Sequence, residues 1–167
     1  TLRHPSLVRK LMLLGTGPRG GNPDSDPGVL DAAPRPVPTV EDFLFLFFGR
    51  SDAARQAGLA FWERRHQRIE QDPASSPAVI QAQIEANMYY LAKLDLKEPF
   101  KHLREIKQPT FILNGSNDVM IPTINSWFMA QNIPNAQLFI YPDAGHAAQY
   151  QYPEQFLKHA IQFLDEE

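Results

Sequence analysis

Two short segments carry residue types that can move protons together. Gly115-Ser116-Asn117-Asp118-Val119-Met120-Ile121-Pro122 offers a carboxylate, and Asp143-Ala144-Gly145-His146-Ala147 offers an imidazole. Each follows a short apolar run that reads as a strand. A carboxylate at one strand end and an imidazole at the next can meet across the edge of a sheet. The carboxylate then fixes the tautomer of the imidazole and stabilises its protonated form, which is the orienting half of a nucleophile–His–acid triad. Asp118 and His146 are therefore the candidate catalytic residues. Spacing alone leaves a second reading open, in which Asp118 caps the helical segment near 122–131 and His146 is an ordinary loop residue.

The surrounding elements must place those two loops side by side. Pro109-Thr110-Phe111-Ile112-Leu113-Asn114-Gly115 predicts a strand with a glycine stop, and Ala136-Gln137-Leu138-Phe139-Ile140-Tyr141 predicts the next, ended by Pro142. Between them, residues 122–131 predict a helix opened by Pro122, with Ile124, Phe128 and Met129 apolar. Pro153-Glu154 opens a last helix with Phe156, Leu157, Ala160, Phe163 and Leu164 on one side. Near the start, the apolar run from Leu7 to Leu14 ends at Gly15 and predicts a further buried strand. Near-continuous apolar strands alternating with amphipathic helices argue for an α/β fold with a parallel sheet of about three strands. In such sheets functional residues gather just past the carboxyl ends of the strands, where both loops lie.

Residues 15–38 interrupt this rhythm. Pro18, Pro23, Pro27, Pro34, Pro36 and Pro38 share the stretch with Gly15, Gly17, Gly20, Gly21 and Gly28, so it reads as an irregular excursion. From 39 to about 94 the pattern is helical. Thr39 with Glu41 and Asp42 supplies a cap and acids for a first turn, and Ser51-Asp52 opens a second helix with Leu59, Trp62, Arg65 and Ile69 at helical spacing. Ser76-Pro77 opens a third, whose Ile80, Ile84, Met88 and Leu91 form one stripe.

Other chemistries fit poorly. The 167 residues suit one ordinary domain with a single core, and 16 Lys+Arg against 19 Asp+Glu leave a formal charge of -3, with no electrostatic footprint for nucleic acid. Without cysteine there is no disulfide framework, cysteine-based zinc site or thiol nucleophile. The longest apolar run, Phe43–Phe48, is far too short to span a bilayer, and Thr1-Leu2-Arg3-His4-Pro5 has no apolar signal core, which predicts a cytoplasmic protein. Gly15-Thr16-Gly17-Pro18-Arg19-Gly20 matches G-x-G-x-x-G after a strand, but Gly21-Asn22-Pro23 cannot open the helix that a dinucleotide pyrophosphate needs. His4, His66, His102, His146 and His159 are scattered, with no metal-binding spacing. The Arg64-Arg65-His66-Gln67-Arg68 cluster reads as a solvated face balanced by Glu63, Glu70 and Asp72.

The loops G-S-N-D-V-M-I-P and Y-P-D-A-G-H-A, the latter followed by P-E-Q-F, resemble the carboxyl-terminal end of α/β-hydrolase enzymes. Leu7–Gly15 is similar to the sheet strand that follows that family's nucleophile. The resemblance implies a partial α/β-hydrolase sheet with an inserted helical cap. It divides the chain into a strand and proline-rich loop (1–38), a cap (39–98) and a carboxyl-terminal core (99–167). It makes Asp118 the triad acid and His146 the triad base, with Asp143 a second-choice acid after the wrong strand, and implies no metal or organic cofactor. The cap aromatics Phe43, Phe45, Phe47, Phe48, Phe61, Trp62, Tyr89 and Tyr90 divide between core packing and the wall of an apolar pocket. The family's nucleophile elbow, G-x-S-x-G, occurs nowhere here, and Ser6, Ser25, Ser51, Ser75, Ser76, Ser116 and Ser126 fit no strand-to-helix elbow. The expectation is a carboxyl-terminal portion of a hydrolase acting on a small apolar ester-like substrate, inactive alone because the nucleophile lies in a missing amino-terminal half. Its exposed sheet edge would meet that half or self-associate. The alternative is a non-catalytic binding or interaction module on the same scaffold.

Overall fold

The computed structural model describes residues 1–35, 37–68, 75–92 and 97–165. Three strands form one parallel sheet in chain order: β1 (Leu11–Leu14), β2 (Thr110–Gly115) and β3 (Ala136–Tyr141). Leu11 faces Thr110 and Leu14 faces Leu113, while Thr110 faces Ala136 and Gly115 faces Tyr141. β2 is central and every residue in it is buried, which explains its apolar and β-branched run from Thr110 to Leu113; the buried Asn114 that follows accepts from the Gly115 N–H and donates to the Ile121 carbonyl.

Alternation along β2 feeds two cores. Phe111 and Leu113 point to one face, against Tyr141, Ala144, Ala148 and Phe163. On the other face Ile112 packs with Leu103, Ile106, Met129 and Ile133. Helices α5 (Lys101–Arg104) and α6 (Ile124–Asn132) cover this second face, and α7 (Ala148–Gln151) and α8 (Pro153–Asp165) cover the first.

The first strand is shorter than its apolar run. Pro5–Leu7 forms a 3-10 turn, with Leu7 N–H donating to the His4 carbonyl, and Leu7 is 82% exposed. Only from Leu11 onward does β2 offer partners, so pairing rather than hydropathy sets the strand's start. The proline-rich segment contains one short helix, α1 (Val29–Ala32). It is tied down at its start by Asn125 of α6, whose amide exchanges hydrogen bonds with the backbone of Asn22 at 2.6 and 2.8 Å.

Three further helices follow: α2 (Val40–Phe47), α3 (Asp52–His66) and α4 (Pro77–Ala92). Thr39 and Asp42 cap α2 reciprocally, and Ser51 caps α3 through the Ala54 N–H. α2 and α3 share a small aromatic core built on Phe43, Leu44 and Phe48. Ala54 and Gly58 are the fully buried residues of α3; of the spaced set, Leu59 and Trp62 pack partly buried against the same core and Arg65 is exposed. The expected α4 stripe is exposed at Ile84 (46%) and Met88 (64%); Ile69 and the Leu91 side chain lie outside the described residues. The last helix also differs from its pattern, with Ala160 and Phe163 buried but Leu157 and Leu164 exposed. Among the described residues, no helix is long and apolar enough to cross a membrane.

Candidate functional site

The loops after β2 and β3 leave the same edge of the sheet and interlock before they present any chemistry. Ser116 N–H donates to the Tyr141 carbonyl and Asn117 N–H to the Ala144 carbonyl, both at 2.9 Å. Asp143 N–H donates in return to Ser116 Oγ at 2.9 Å. This approach requires Gly115, because a Cβ there would lie 2.1 Å from the Ala144 carbonyl oxygen. Thr123 closes the far end of the first loop by donating to the Gly115 carbonyl at 2.6 Å.

The interlock brings Asp118 and His146 together. Asp118 Oδ2 lies 2.9 Å from His146 Nδ1. The other carboxylate oxygen, Oδ1, accepts from the backbone N–H groups of Met120 and Ile121 at 2.8 and 2.9 Å. Those two local bonds fix the carboxylate, and its side chain is wholly buried, whereas that of His146 is 21% exposed. An ionised carboxylate can only accept, so the contact requires the proton on Nδ1 and leaves the lone pair on Nε2. In its neutral form the ring so held could act as a base, with Nε2 on the far side from the carboxylate.

Two further residues confine the ring. Gly15, at the carboxyl end of β1, adopts a left-handed φ of 53°. A Cβ there would stand 2.8 Å from the His146 carbonyl oxygen and 3.0 Å from its Cε1. The Phe47 ring, at the end of α2, packs at 5.9 Å from the imidazole. Neither was singled out as a positioning group by spacing, although the strand-to-glycine stop at residue 15 was a signal that could have marked one.

Asp143 stands apart from this pair. Its carboxylate accepts from the Ser51 hydroxyl and, at 3.5 Å, from Asn117 Nδ2. The serines do not complete a triad either. Ser116 is engaged with Asp143 N–H, Ser126 is fully buried in α6, and among the described residues the His146 ring is hydrogen-bonded to Asp118 alone. The Gly15–Gly20 segment opens no helix; the next helical residues are those of α1. A cavity of about 250 Å³ sits beside it, bounded by Thr16, Asn22, Tyr90, Met120, Ile121 and Asn125.

The aromatics sort by position. Phe43 and Phe48 are buried in the α2–α3 core, Phe61 packs at a tilt against Tyr150 with ring centroids 4.6 Å apart, and only Phe47 of this group makes a ring contact with His146 among the described residues. Tyr89 is 61% exposed and Tyr90 meets Arg19, whose backbone N–H donates to its hydroxyl at 3.1 Å. His66 takes no part in a site; its Nδ1 lies 2.7 Å from the Trp62 carbonyl one helical turn back.

Residues 1–153 match the family model for the alpha/beta hydrolase fold. The chain belongs to that family. Its sequence is 33% identical over 113 residues to the pimeloyl-[acyl-carrier protein] methyl ester esterase of Nitrosomonas europaea, covering 68% of this chain and 41% of that protein. It is 28% identical to a 2-hydroxy-6-oxononadienedioate/2-hydroxy-6-oxononatrienedioate hydrolase of Klebsiella pneumoniae, covering 98% of this chain and 56% of the relative. Among solved structures, an alpha/beta hydrolase fold protein from Chitinophaga pinensis superposes with a TM-score of 0.83 at 34% identity, over 98% of this chain and 58% of the other. The chain therefore spans about half the length of the relatives it matches.

Proposed function

We propose that this chain is the acid–base and cap portion of an esterase-like hydrolase whose nucleophile lies in residues preceding it in a longer parent. The observation that carries the reading is the Asp118–His146 contact at 2.9 Å with Nε2 left free. In the parent, the nucleophile, a serine by the family pattern, would attack a carbonyl carbon while His146 Nε2 takes its proton. The same proton would pass to the leaving group as the carbon–leaving-group bond breaks, and water would repeat the sequence to release the acid. Asp118 would hold the tautomer throughout and stabilise the imidazolium.

Residues 39–98 act as the cap in this reading. The Phe47 ring beside the imidazole makes the approach to Nε2 apolar on that side, which favours a small apolar acyl or carbonyl substrate. The relatives named as esterases and hydrolases are consistent with bond cleavage at such a carbon.

Open surfaces support the longer parent. Among the described residues β1 pairs on one side only, with β2. Leu157, Ile161 and Leu164 of α8 and Ile84 and Met88 of α4 are large apolar side chains at least 40% exposed. Isolated apolar residues at a surface are ordinary, but an unpaired strand edge together with apolar helix stripes left exposed is what further packed chain, or self-association in its place, would cover.

The test is complementation. The 167-residue chain should not hydrolyse a short-chain p-nitrophenyl ester above buffer. Adding the preceding reading frame, in one polypeptide or as a co-expressed segment, should restore turnover that His146→Ala abolishes. A complemented protein that is folded but inactive on esters of several acyl lengths would favour the non-catalytic scaffold instead.

A further inference from the structure

The mechanism above uses Asp118 and His146 but does not explain what keeps the His146 loop seated against the helices over it. The contacts converge on one side chain. Gln151, in α7, is 8% exposed. Its Oε1 accepts from Gly49 N–H at 2.9 Å, and its Nε2 donates to the Asp143 carbonyl at 2.6 Å. Gly49 lies in the turn between α2 and α3; Asp143 opens the loop that ends in His146. One buried amide therefore satisfies a donor on the helical hairpin and an acceptor on the catalytic loop. A primary amide carries its acceptor oxygen and donor nitrogen as separate atoms on one head, so it can satisfy both partners at once.

Nearby contacts run across the same seam. Ala147 N–H, next to the imidazole residue, donates to the Phe47 carbonyl at 2.9 Å. The Ser51 hydroxyl, at the start of α3, donates to the Asp143 carboxylate. Asp143 itself has a left-handed φ of 48°, a conformation uncommon outside glycine and best tolerated by Asn and Asp, and one that surrounding contacts help to hold. The Gln151 bond to its carbonyl is one of those contacts.

We propose that Gln151 is a positioning residue that couples the α2–α3 hairpin to the His146 loop, fixing the imidazole in its Asp118-bonded tautomer with Phe47 beside it. The proposal rests on the hydrolase reading of Asp118 and His146 and adds to it a residue that never touches substrate. A merely structural Gln151 would contribute stability without reaching the ring. A positioning Gln151 changes the state of the imidazole in a folded protein.

The experiment reads the His146 ring by 15N NMR in the 167-residue chain, as the ratio of Nδ1–H to Nε2–H tautomers. Gln151→Met removes both hydrogen bonds at similar length; Gln151→Glu keeps the acceptor for Gly49 N–H and, when ionised, loses the donor to Asp143. Each variant should retain its far-ultraviolet circular dichroism and lower the tautomer ratio, by about fivefold for the single bond lost in Gln151→Glu and by at least as much for Gln151→Met, which loses both. In a complemented active parent, the same variants should lower kcat while leaving KM within about twofold, as expected when positioning rather than uniform binding is lost. An unchanged ratio in either folded variant overturns the proposal. So does unfolding of both, which makes Gln151 a folding residue. Asp118→Asn is the separate control: if it leaves the ratio unmoved, the hydrolase reading of the pair fails, whereas an Asp118 response without a Gln151 response sinks only the coupling.

Discussion

Gly15→Ala tests the claim that the end of β1 shapes the site although it carries no reacting group. The wild-type glycine has φ 53°, and an added Cβ would sit 2.8 Å from the His146 carbonyl oxygen, with Cε1 and Nδ1 of the ring at 3.0 and 3.1 Å. Three terms set the cost. The left-handed backbone disfavours alanine by about 1–2 kcal/mol. The Cβ meets backbone that cannot swing aside, and forcing such overlap apart typically costs about 1–3 kcal/mol. Reduced freedom of the unfolded chain offsets about 0.4–1 kcal/mol of this. The net destabilisation is about 1–4.5 kcal/mol, or a fall in unfolding midpoint of roughly 2–18 °C for a chain of this size. The His146 loop is what must move, so the Asp118-bonded Nδ1–H population should fall with it. Thermal unfolding by circular dichroism and imidazole 15N shifts measure the two consequences on one sample. A midpoint within 1 °C of wild type together with an unchanged tautomer ratio would refute the reasoning.

Three other outcomes follow from charge and burial. Asp42 is held below the usual carboxylate range by hydrogen bonds from the Thr39 backbone N–H and hydroxyl, with Arg35 Nη1 at 2.8 Å. Its stabilising effect is present above the unfolded value and lost as pH falls through the folded one. Asp42→Ala should therefore destabilise the chain at neutral pH and converge with wild type in acid below about pH 4, as followed by urea midpoints across pH. His102 is pushed below the ordinary histidine value, first by burial and then by the Arg19 charge. Protonation opposes its folded setting, so stability should decline as pH falls through about 6.5, and His102→Gln should flatten that part of the profile. Ile112 is fully buried at the centre of the sheet, and Ile112→Ala should cost about 2–5 kcal/mol in equilibrium unfolding.

The sheet and the Asp118–His146 contact were legible because local chemistry and tertiary demand coincide there. Thr110–Gly115 is apolar, partly β-branched and glycine-stopped, and it is the strand buried on both faces. Asp118 and His146 sit just past strand ends, where the sheet topology brings neighbouring loops together whatever their length. Pro153 likewise opens α8. Elements set by long-range pairing were less legible. Leu7 reads as strand until it is clear that β2 offers it no partner, and Pro5 turns the chain instead. Leu157 and Leu164 follow the apolar pattern of α8 yet stay exposed among the described residues, because periodicity marks an apolar stripe but not what covers it. The short helices α1, α5 and α7 of four residues each carry too few positions for a period to show. Gln151 left no trace in spacing, since its role is a pair of hydrogen bonds reaching 102 residues back to Gly49 and 8 back to Asp143.

Hydrolysis of a short-chain p-nitrophenyl ester tests the central claim most directly, with the 167-residue chain, the chain extended through its preceding reading frame, and His146→Ala in each. The account predicts that the chain alone matches buffer, while the extended protein turns over and loses about 10³-fold or more with His146→Ala. Turnover by the chain alone that His146→Ala abolishes would contradict it, placing the nucleophile within these residues. Turnover by the extended protein that is indifferent to His146→Ala would contradict it as well.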